Sequence, residues 1–322
     1  MKAPAMLFRP QTAFRVRWST NSDTPLPPDE PAGENPPDGA MIDYYFGANA
    51  SGPATLEIKD ETGQVVRRYS SNDPLPAPDP TLNIPPYWVR PPQKLRNEPG
   101  MHRFLWDMHY APVPGLQAQY PIAAIYGNTA PEATSPWAMP GKYTVVLTVG
   151  GKSYDQPLTL VMDPRVKTSN ADLAEQFRLS KQAYDEWLAL NSISESVKRI
   201  QSQISELQPR VPAGDLKAHL NAFAEKLQSF SSAPAAGPGG AAAAARLNVA
   251  TTTGRVRTLF NLIEEVDLAP TPQAAAGVSD VVKDSRALQD TWQAIKTQDI
   301  AALNVELRAA SLPVIDVSSA LR

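Results

Sequence analysis

Residues 101–110, MHRFLWDMHY, bring together residue types that could take part in acid–base or metal chemistry. Two histidines and an aspartate so close together could bind a metal ion or supply a general base. The run also alternates like a strand, whose successive side chains point to opposite faces. His102 then shares a face with Trp106, while Asp107 and His109 lie on the other face. Because the histidines do not converge, we interpret the run as a structural strand, in which Trp106 fills a core and Asp107 caps the following turn.

A second group of candidate residues is aromatic. Tyr87 and Trp88 lie among prolines in the segment IPPYWVRPP, and Trp137 follows in another proline-containing stretch. Together they are candidate ligand-binding residues, because aromatic side chains can form a platform for sugar rings or for a proline-rich peptide. The alternative interpretation is a loop that its aromatic side chains anchor onto a sheet.

The sequence predicts no catalytic residue, no metal site and no cofactor. Loop carboxylates could in principle line a calcium site, since Ca²⁺ prefers oxygen ligands, but the spacing of a calcium-binding loop is absent. These carboxylates belong to Asp43, Asp60, Glu61, Asp73 and Asp79. The chain contains no nucleophile elbow, phosphate-binding loop, dinucleotide fingerprint or HExxH motif. It also has no cysteine, which excludes disulfides, thiolate nucleophiles and Cys-ligated zinc.

Charge and hydropathy exclude further classes of protein. The 322 residues include 30 Lys and Arg and 33 Asp and Glu, which gives a net charge of −3. Evenly spread charges of this kind argue against a nucleic-acid partner, which needs a concentrated basic face. No apolar run approaches the ~20 residues of a membrane span. The first residues lack the continuous apolar core of a secretory signal.

The elements that would position these side chains change in character near residue 165. Short alternating segments, frequent prolines and turn glycines come before it, and they predict an antiparallel β-sandwich. A first strand is predicted at residues 14–18, before a proline-rich linker at 23–39, and residues 70–99 are predicted to be an insertion over one sheet. The other predicted strands are 40–46, 54–59, 65–69, 101–108, 142–149 and 153–161.

Helical spacing dominates after residue 165 and predicts an antiparallel bundle of four helices, or a pair of helical hairpins. Ser169 or Asn170 is the expected cap of the first helix, and Pro272 suits the first turn of the fourth. A low-complexity stretch, residues 231–245, is the expected flexible linker.

The predicted fold class is therefore α+β and multidomain, with strands followed by helices rather than interleaved with them. We expect four regions along the chain. They are a strand with a proline-rich linker at 1–35, the sandwich at 36–165, the helical bundle at 166–312 and a tail at 313–322.

Several phrases in order carry a family resemblance. The Gly39-Ala40 start of a strand, the MHRFLWDMHY strand and the Pro140-Gly141 hairpin strand resemble the Ig-like module of the flagellar hook-capping type. With the PPYWVRPP insertion and the DPR sequence that leads into the helices, most of the chain is similar to the C-terminal region of bacterial BNR-repeat proteins. These are sortilin-type propeller proteins that are often labelled glycosyl-hydrolase-like.

The resemblance implies an Ig-like sandwich, an exported protein, and an N-terminal β-propeller or another domain as partner. The Asp-box repeats of such a propeller are missing from this sequence, so no catalytic carboxylate is carried over. The chain is either a piece of a longer exported protein or a protein that stays inside the cell, and the sequence leaves both open. The first hypothesis is a non-catalytic accessory region, which would dock a partner through an exposed apolar patch around Phe14, Val16 and Trp18. The alternatives are part of a glycoside hydrolase whose catalytic propeller lies elsewhere, and a carbohydrate- or peptide-binding module that uses the Tyr87-Trp88 loop.

Overall fold

The computed structural model describes residues 4–18, 29–31, 33, 37–50, 52–76, 79, 81–232 and 247–317. The chain divides into two compact units, Met1–Phe177 and Arg178–Arg322, and their boundary falls within the first helix. The fold is α+β, with every described strand in the first unit. Most of the predicted linkers, at 23–39 and 231–245, lie outside the described residues.

The strands of the first unit form two sheets, which we call together the β unit. A three-stranded antiparallel sheet has the order β1-β3-β6, and a five-stranded mixed sheet has the order β2-β8-β7-β4-β5. The strands are β1 (Ala5–Leu7), β2 (Ala13–Arg15), β3 (Ala40–Phe46), β4 (Ala54–Lys59), β5 (Val65–Ser70), β6 (Gly100–Trp106), β7 (Gly141–Val149) and β8 (Lys152–Met162).

The core of the β unit follows from alternation along its strands. In β3, Ala40, Ile42, Tyr44 and Phe46 are buried and the residues between them are half-buried. β4 and β7 alternate in the same way, and the inward residues of both sheets belong to one hydrophobic core. Trp106 is fully buried in that core, which is the place that the sequence predicted for it.

The expectation of a purely antiparallel arrangement is wrong for one strand pair. β2 runs parallel to β8, with Phe14 opposite Val161, so the larger sheet is mixed. The strand predicted at residues 14–18 is also shorter and starts earlier, at Ala13–Arg15. β1 was not predicted, because a strand of three residues is too short to show a period.

Part of the segment 70–99 lies along the smaller sheet. The Gln93 side chain accepts a hydrogen bond from the Leu105 N–H at 3.0 Å and so occupies part of the free edge of β6. The Tyr44 hydroxyl donates to the Arg96 carbonyl at 2.9 Å and accepts from the Arg96 N–H at 3.1 Å. Leu95, between these two anchors, is buried in the core.

Two of the helices begin at the positions that the sequence predicted. Ser169 Oγ accepts the Asp172 N–H at 3.1 Å at the start of the first helix, and Thr271 caps the fourth, whose first residue is Pro272. The fourth helix continues through a π-helical turn, Ile295–Asp299, into the last one. The helices are α1 (Asn170–Leu207), α2 (Asp215–Ser231), α3 (Val249–Glu264), α4 (Pro272–Ala294) and α5 (Ile300–Ala309).

The second unit is held together by contacts between these helices. Trp187 of α1 meets Phe260 of α3 edge-on, with 5.6 Å between ring centroids. Phe230 of α2 stacks on Trp292 of α4 at 6.2 Å. None of the described helices is both long and apolar enough to cross a lipid bilayer.

Candidate functional site

The two most exposed aromatic rings of the β unit lie side by side. Tyr87 is 60% exposed and Tyr126 is 73% exposed, and their ring centroids are 6.3 Å apart. Ile122, on the same loop as Tyr126, is 79% exposed. We call the pair of rings, with Ile122, the Tyr87 surface. Single exposed apolar side chains are common on proteins, whereas adjacent ones that form a patch can mark a binding site.

Backbone hydrogen bonds fix the positions of both rings. Pro85 and Pro86 open a single 3₁₀ turn that ends at Trp88. The Gly127 N–H then donates to the Tyr87 carbonyl at 2.8 Å, and the Thr129 N–H donates to the Trp88 carbonyl at 2.8 Å. The two loops therefore pair like short strands, so Tyr87 and Tyr126 are presented together rather than on independent loops.

Arg90 fastens this loop pair to the start of β3. Its Nη2 donates to Asp38 Oδ2 at 2.9 Å, and its Nε donates to Asn128 Oδ1 at 2.8 Å. The other oxygen of Asp38 accepts the Trp18 indole N–H at 3.0 Å. Because a guanidinium group has a fixed planar geometry, these contacts define both the orientation of the loop pair and its distance from the start of β3.

Trp88 supports the Tyr87 surface from behind. Its ring is half-buried and meets Tyr87 edge-on, with 6.1 Å between centroids. Its Nε1 is buried and has no hydrogen-bond partner among the described residues. The sequence grouped Trp88 with Tyr87 as a ligand-binding residue, and the structure gives Tyr87 the exposed face and Trp88 the partly covered one.

Trp137, the third predicted platform residue, has other neighbours. Its ring lies 4.0 Å from the His109 ring, between centroids, and the guanidinium groups of Arg15 and Arg17 lie over it at 5.7 and 5.4 Å. Tyr126 is the residue that joins Tyr87, and sequence reasoning missed it. The available signal was the stretch from Ala111 to Pro131, which contains Tyr120 and Tyr126 but no charged residue or histidine.

The histidines and aspartate of the 101–110 run stay apart. His102 Nε2 lies 2.7 Å from the Glu98 carbonyl. His109 Nδ1 lies 2.8 Å from the Asp107 carbonyl oxygen, and the backbone N–H of His109 donates to the Asp107 carboxylate at 3.1 Å. Asp107 therefore caps the turn after β6, as the sequence predicted.

The carboxylates considered for calcium that are described below form hydrogen bonds with separate partners. The hydrogen bond from Arg103, together with its charge, holds the pKa of Asp43 below its usual value despite partial burial. A hydrogen bond from the Thr81 hydroxyl lowers the pKa of Asp79. Asp60 and Asp73 each accept backbone N–H groups of their own turns. Within the described ranges, no three His, Asp or Glu side chains come together as a metal site.

The residues predicted to dock a partner lie in and after β2. Phe14 is 53% exposed and Trp18 is 43% exposed, whereas Val16 is half-buried. The Trp18 indole nitrogen is engaged by Asp38, so this side chain has a fixed position at the surface.

No protein-family model matches this chain, and no curated protein sequence is similar to it.

Proposed function

We propose that this chain is a non-catalytic binding region whose β unit holds a neutral polysaccharide on the Tyr87 surface. The observation that carries the proposal is the pair of exposed rings, Tyr87 and Tyr126, at a fixed separation of 6.3 Å. Pyranose rings present flat faces of C–H groups, which pack against aromatic rings, while tyrosine hydroxyls stay in water and donate hydrogen bonds.

The lack of charge around the rings favours an uncharged ligand. No Asp, Glu, Lys, Arg or His lies between Ala111 and Pro131, and none lies between Pro80 and Val89. Arg90, which anchors the two loops, is already paired with Asp38, so charge complementarity offers a charged partner little here. Asn128 is exposed beside Tyr126, and its amide nitrogen makes no hydrogen bond within the described part of the chain. This leaves a donor for a sugar hydroxyl.

The wider assignment rests on the family resemblance. We infer an exported accessory region of a BNR-repeat, glycosyl-hydrolase-like protein, with a β-propeller as the partner docked at Phe14, Val16 and Trp18. The exposure of Phe14 and Trp18 supports this docking site. The test is co-purification with a separately produced propeller of this class. We expect Phe14→Glu to abolish the complex and Tyr87→Ala to leave it intact, and equal complex formation by both variants would reject the docking site.

The finer description of the fold is part of the same proposal. We infer an Ig-like β-sandwich for the β unit, which is supported by a single core that contains inward residues from both sheets. For the second unit we infer an antiparallel helical bundle. Its support is that aromatic and polar side chains join α1 to α3 and α2 to α4.

Affinity electrophoresis tests the polysaccharide proposal. Native gels would contain mixed-linkage β-glucan, xyloglucan or galactomannan, with polygalacturonate as the acidic comparison. We expect at least one neutral polymer to retard the protein, and the Tyr87→Ala/Tyr126→Ala double variant to migrate as in a plain gel. Phe14→Ala is the matched control, because it removes an exposed aromatic ring elsewhere on the β unit. Retardation by polygalacturonate alone, or by no polymer, would contradict the proposal.

The same polymers separate this proposal from the hydrolase alternative. The sequence contains no catalytic motif, so we expect no release of reducing ends from any retarding polymer during prolonged incubation. Steady release that survives repeated purification would show an enzyme and overturn the non-catalytic assignment.

A further inference from the structure

A groove of about 640 Å³ runs between α1 and α4 in the second unit. Its α4 wall contains Ala275, Ser279 and Ala287, which follow one another at helical spacing and are too small to fill the space. Leu179 of α1 and Val282 of α4 form an apolar base. From Ala275 to Asp290 the α4 wall extends for about 22 Å, at 1.5 Å per residue.

The groove carries a concentration of positive charge. Arg178 of α1 and Lys283 and Arg286 of α4 line it, and Asp290 is its one acidic lining residue. Lys283 makes no ion pair with any residue that the structure describes. The chain as a whole has a net charge of −3, so three cations around one groove are a local reversal of sign.

The nearby carboxylate of Glu186 is only a distant partner of Arg286. Glu186 Oε2 accepts hydrogen bonds from the Ser285 hydroxyl at 2.6 Å and from the Gln289 amide at 2.8 Å. Its other oxygen lies 3.9 Å from Arg286 Nε, at the outer limit of an ion pair. Glu186 is thus mainly committed to holding α1 against α4, and the Arg286 side chain remains largely exposed.

We propose that the groove between α1 and α4 binds an acidic amphipathic helix of a partner protein. Val282 and the wall alanines offer an apolar surface to side chains of leucine size, and Lys283 and Arg286, one helical turn apart on α4, pair with carboxylates of the ligand. A purely ionic ligand would leave Val282 and the wall alanines uncovered, and a purely apolar one would leave Lys283 unpaired. This proposal is independent of the Tyr87 surface, which lies in the other unit.

Fluorescence anisotropy with a defined probe tests this inference on the full chain. The probe is a labelled 15-residue amphipathic peptide with leucine on one face and glutamate on the other, and its counterpart has glutamine for glutamate. We expect the glutamate peptide to bind at least about tenfold more tightly than the glutamine peptide at low salt, and the difference to shrink at high salt.

Two kinds of variant distinguish charge from shape. Lys283→Glu/Arg286→Glu removes the charge complementarity, and Ser279→Trp fills the groove without changing its charge. Each is expected to weaken binding of the glutamate peptide by about tenfold or more. Arg257→Glu and Arg308→Glu, at exposed sites on α3 and α5 outside the groove, are the matched controls and should bind like the wild type.

Three results would overturn the proposal. They are equal binding of the two peptides, loss of binding in the control variants to the same extent as in the groove variants, and a self-association that the groove variants abolish while no peptide binds. The last result would identify a second copy of this chain as the occupant. Circular dichroism of every variant verifies that the helices remain folded.

Discussion

The surroundings of a residue decide which side chains its position can accept, and Gly39 is the clearest example. Its φ of +128° lies in the region that favours glycine, and a Cβ placed there would sit 2.5 Å from the Trp106 carbonyl oxygen. Gly63 also has a positive φ, of +83°, but a Cβ there would meet nothing within 4 Å. The two glycines thus separate backbone strain from steric conflict.

Gly39→Ala should destabilise the β unit more than Gly63→Ala does. We expect Gly63→Ala to cost about 1–2 kcal/mol for its backbone conformation alone, and Gly39→Ala to cost clearly more, because the β3–β6 pairing must also shift. Urea unfolding followed by tryptophan fluorescence measures both. Equal losses of stability in the two variants would show that β6 can move to accept a Cβ at position 39 without a further energetic cost.

His219 provides a pH-dependent contact between α2 and α5. Its Nδ1 lies 2.9 Å from Glu306 Oε2, and this hydrogen bond and the charge of Glu306 raise the pKa of His219 above its usual value. A raised folded-state pKa means that the contact stabilises the protein below the unfolded-state pKa. The stabilisation disappears as pH rises through the higher folded-state value.

Glu306→Gln should return the pKa of His219 toward that of an isolated histidine. It should also remove the loss of stability that accompanies the rise in pH through this range. NMR titration of the His219 ring protons in the wild type and in the variant gives the pKa directly. An unchanged His219 titration in the variant would show that Glu306 is not the cause.

At the scale of elements, side-chain hydrogen bonds hold segments in place that no strand pairing holds. Tyr44 extends from the middle of β3 and pairs with both backbone groups of Arg96. Burial raises the pKa of the Tyr44 hydroxyl to about 12, so it stays protonated and continues to donate. The segment around Leu95 thereby covers the sheet without becoming a strand.

Tyr44→Phe should release this segment while leaving the sheet intact. Leaving the Arg96 N–H and carbonyl unpaired is expected to cost about 1–3 kcal/mol, with faster amide exchange confined to residues near 93–97. Tyr45→Phe is the control, because no hydrogen bond of the Tyr45 hydroxyl is found in the described part of the chain. Faster exchange throughout β3 would show that Tyr44 stabilises the strand instead.

The sequence predicted those elements whose period is long enough to be seen. Ala40–Phe46 and Ala54–Lys59 lie where alternation placed them, and Pro272 begins a helix as expected. β1 and the parallel pairing of β2 were missed, because three residues show no period and a single strand does not reveal its partner. The Tyr87 surface was half predicted. Tyr87 stood out among its prolines, but Tyr126 comes beside it only through backbone pairing across a long loop.

At the scale of the whole molecule, the two proposed ligand-binding surfaces lie in different units and differ in chemistry. The β unit exposes an uncharged aromatic surface, and the second unit has a cationic groove with an apolar base. Because one surface is aromatic and the other is cationic, we expect two different ligands, a neutral polysaccharide and an acidic helix. Because the two surfaces share no residue, substitutions in one should leave the ligand of the other bound as before.

Calorimetric titration of the full chain with a neutral oligosaccharide, cut from the polymer that retards it most, tests the central claim most directly. Wild type and Phe14→Ala should bind with the same affinity within about twofold, and Tyr87→Ala/Tyr126→Ala should bind at least about tenfold more weakly, because each ring contributes on the order of 1 kcal/mol by stacking. An undiminished affinity in the double tyrosine variant would contradict the assignment of the Tyr87 surface as the binding site.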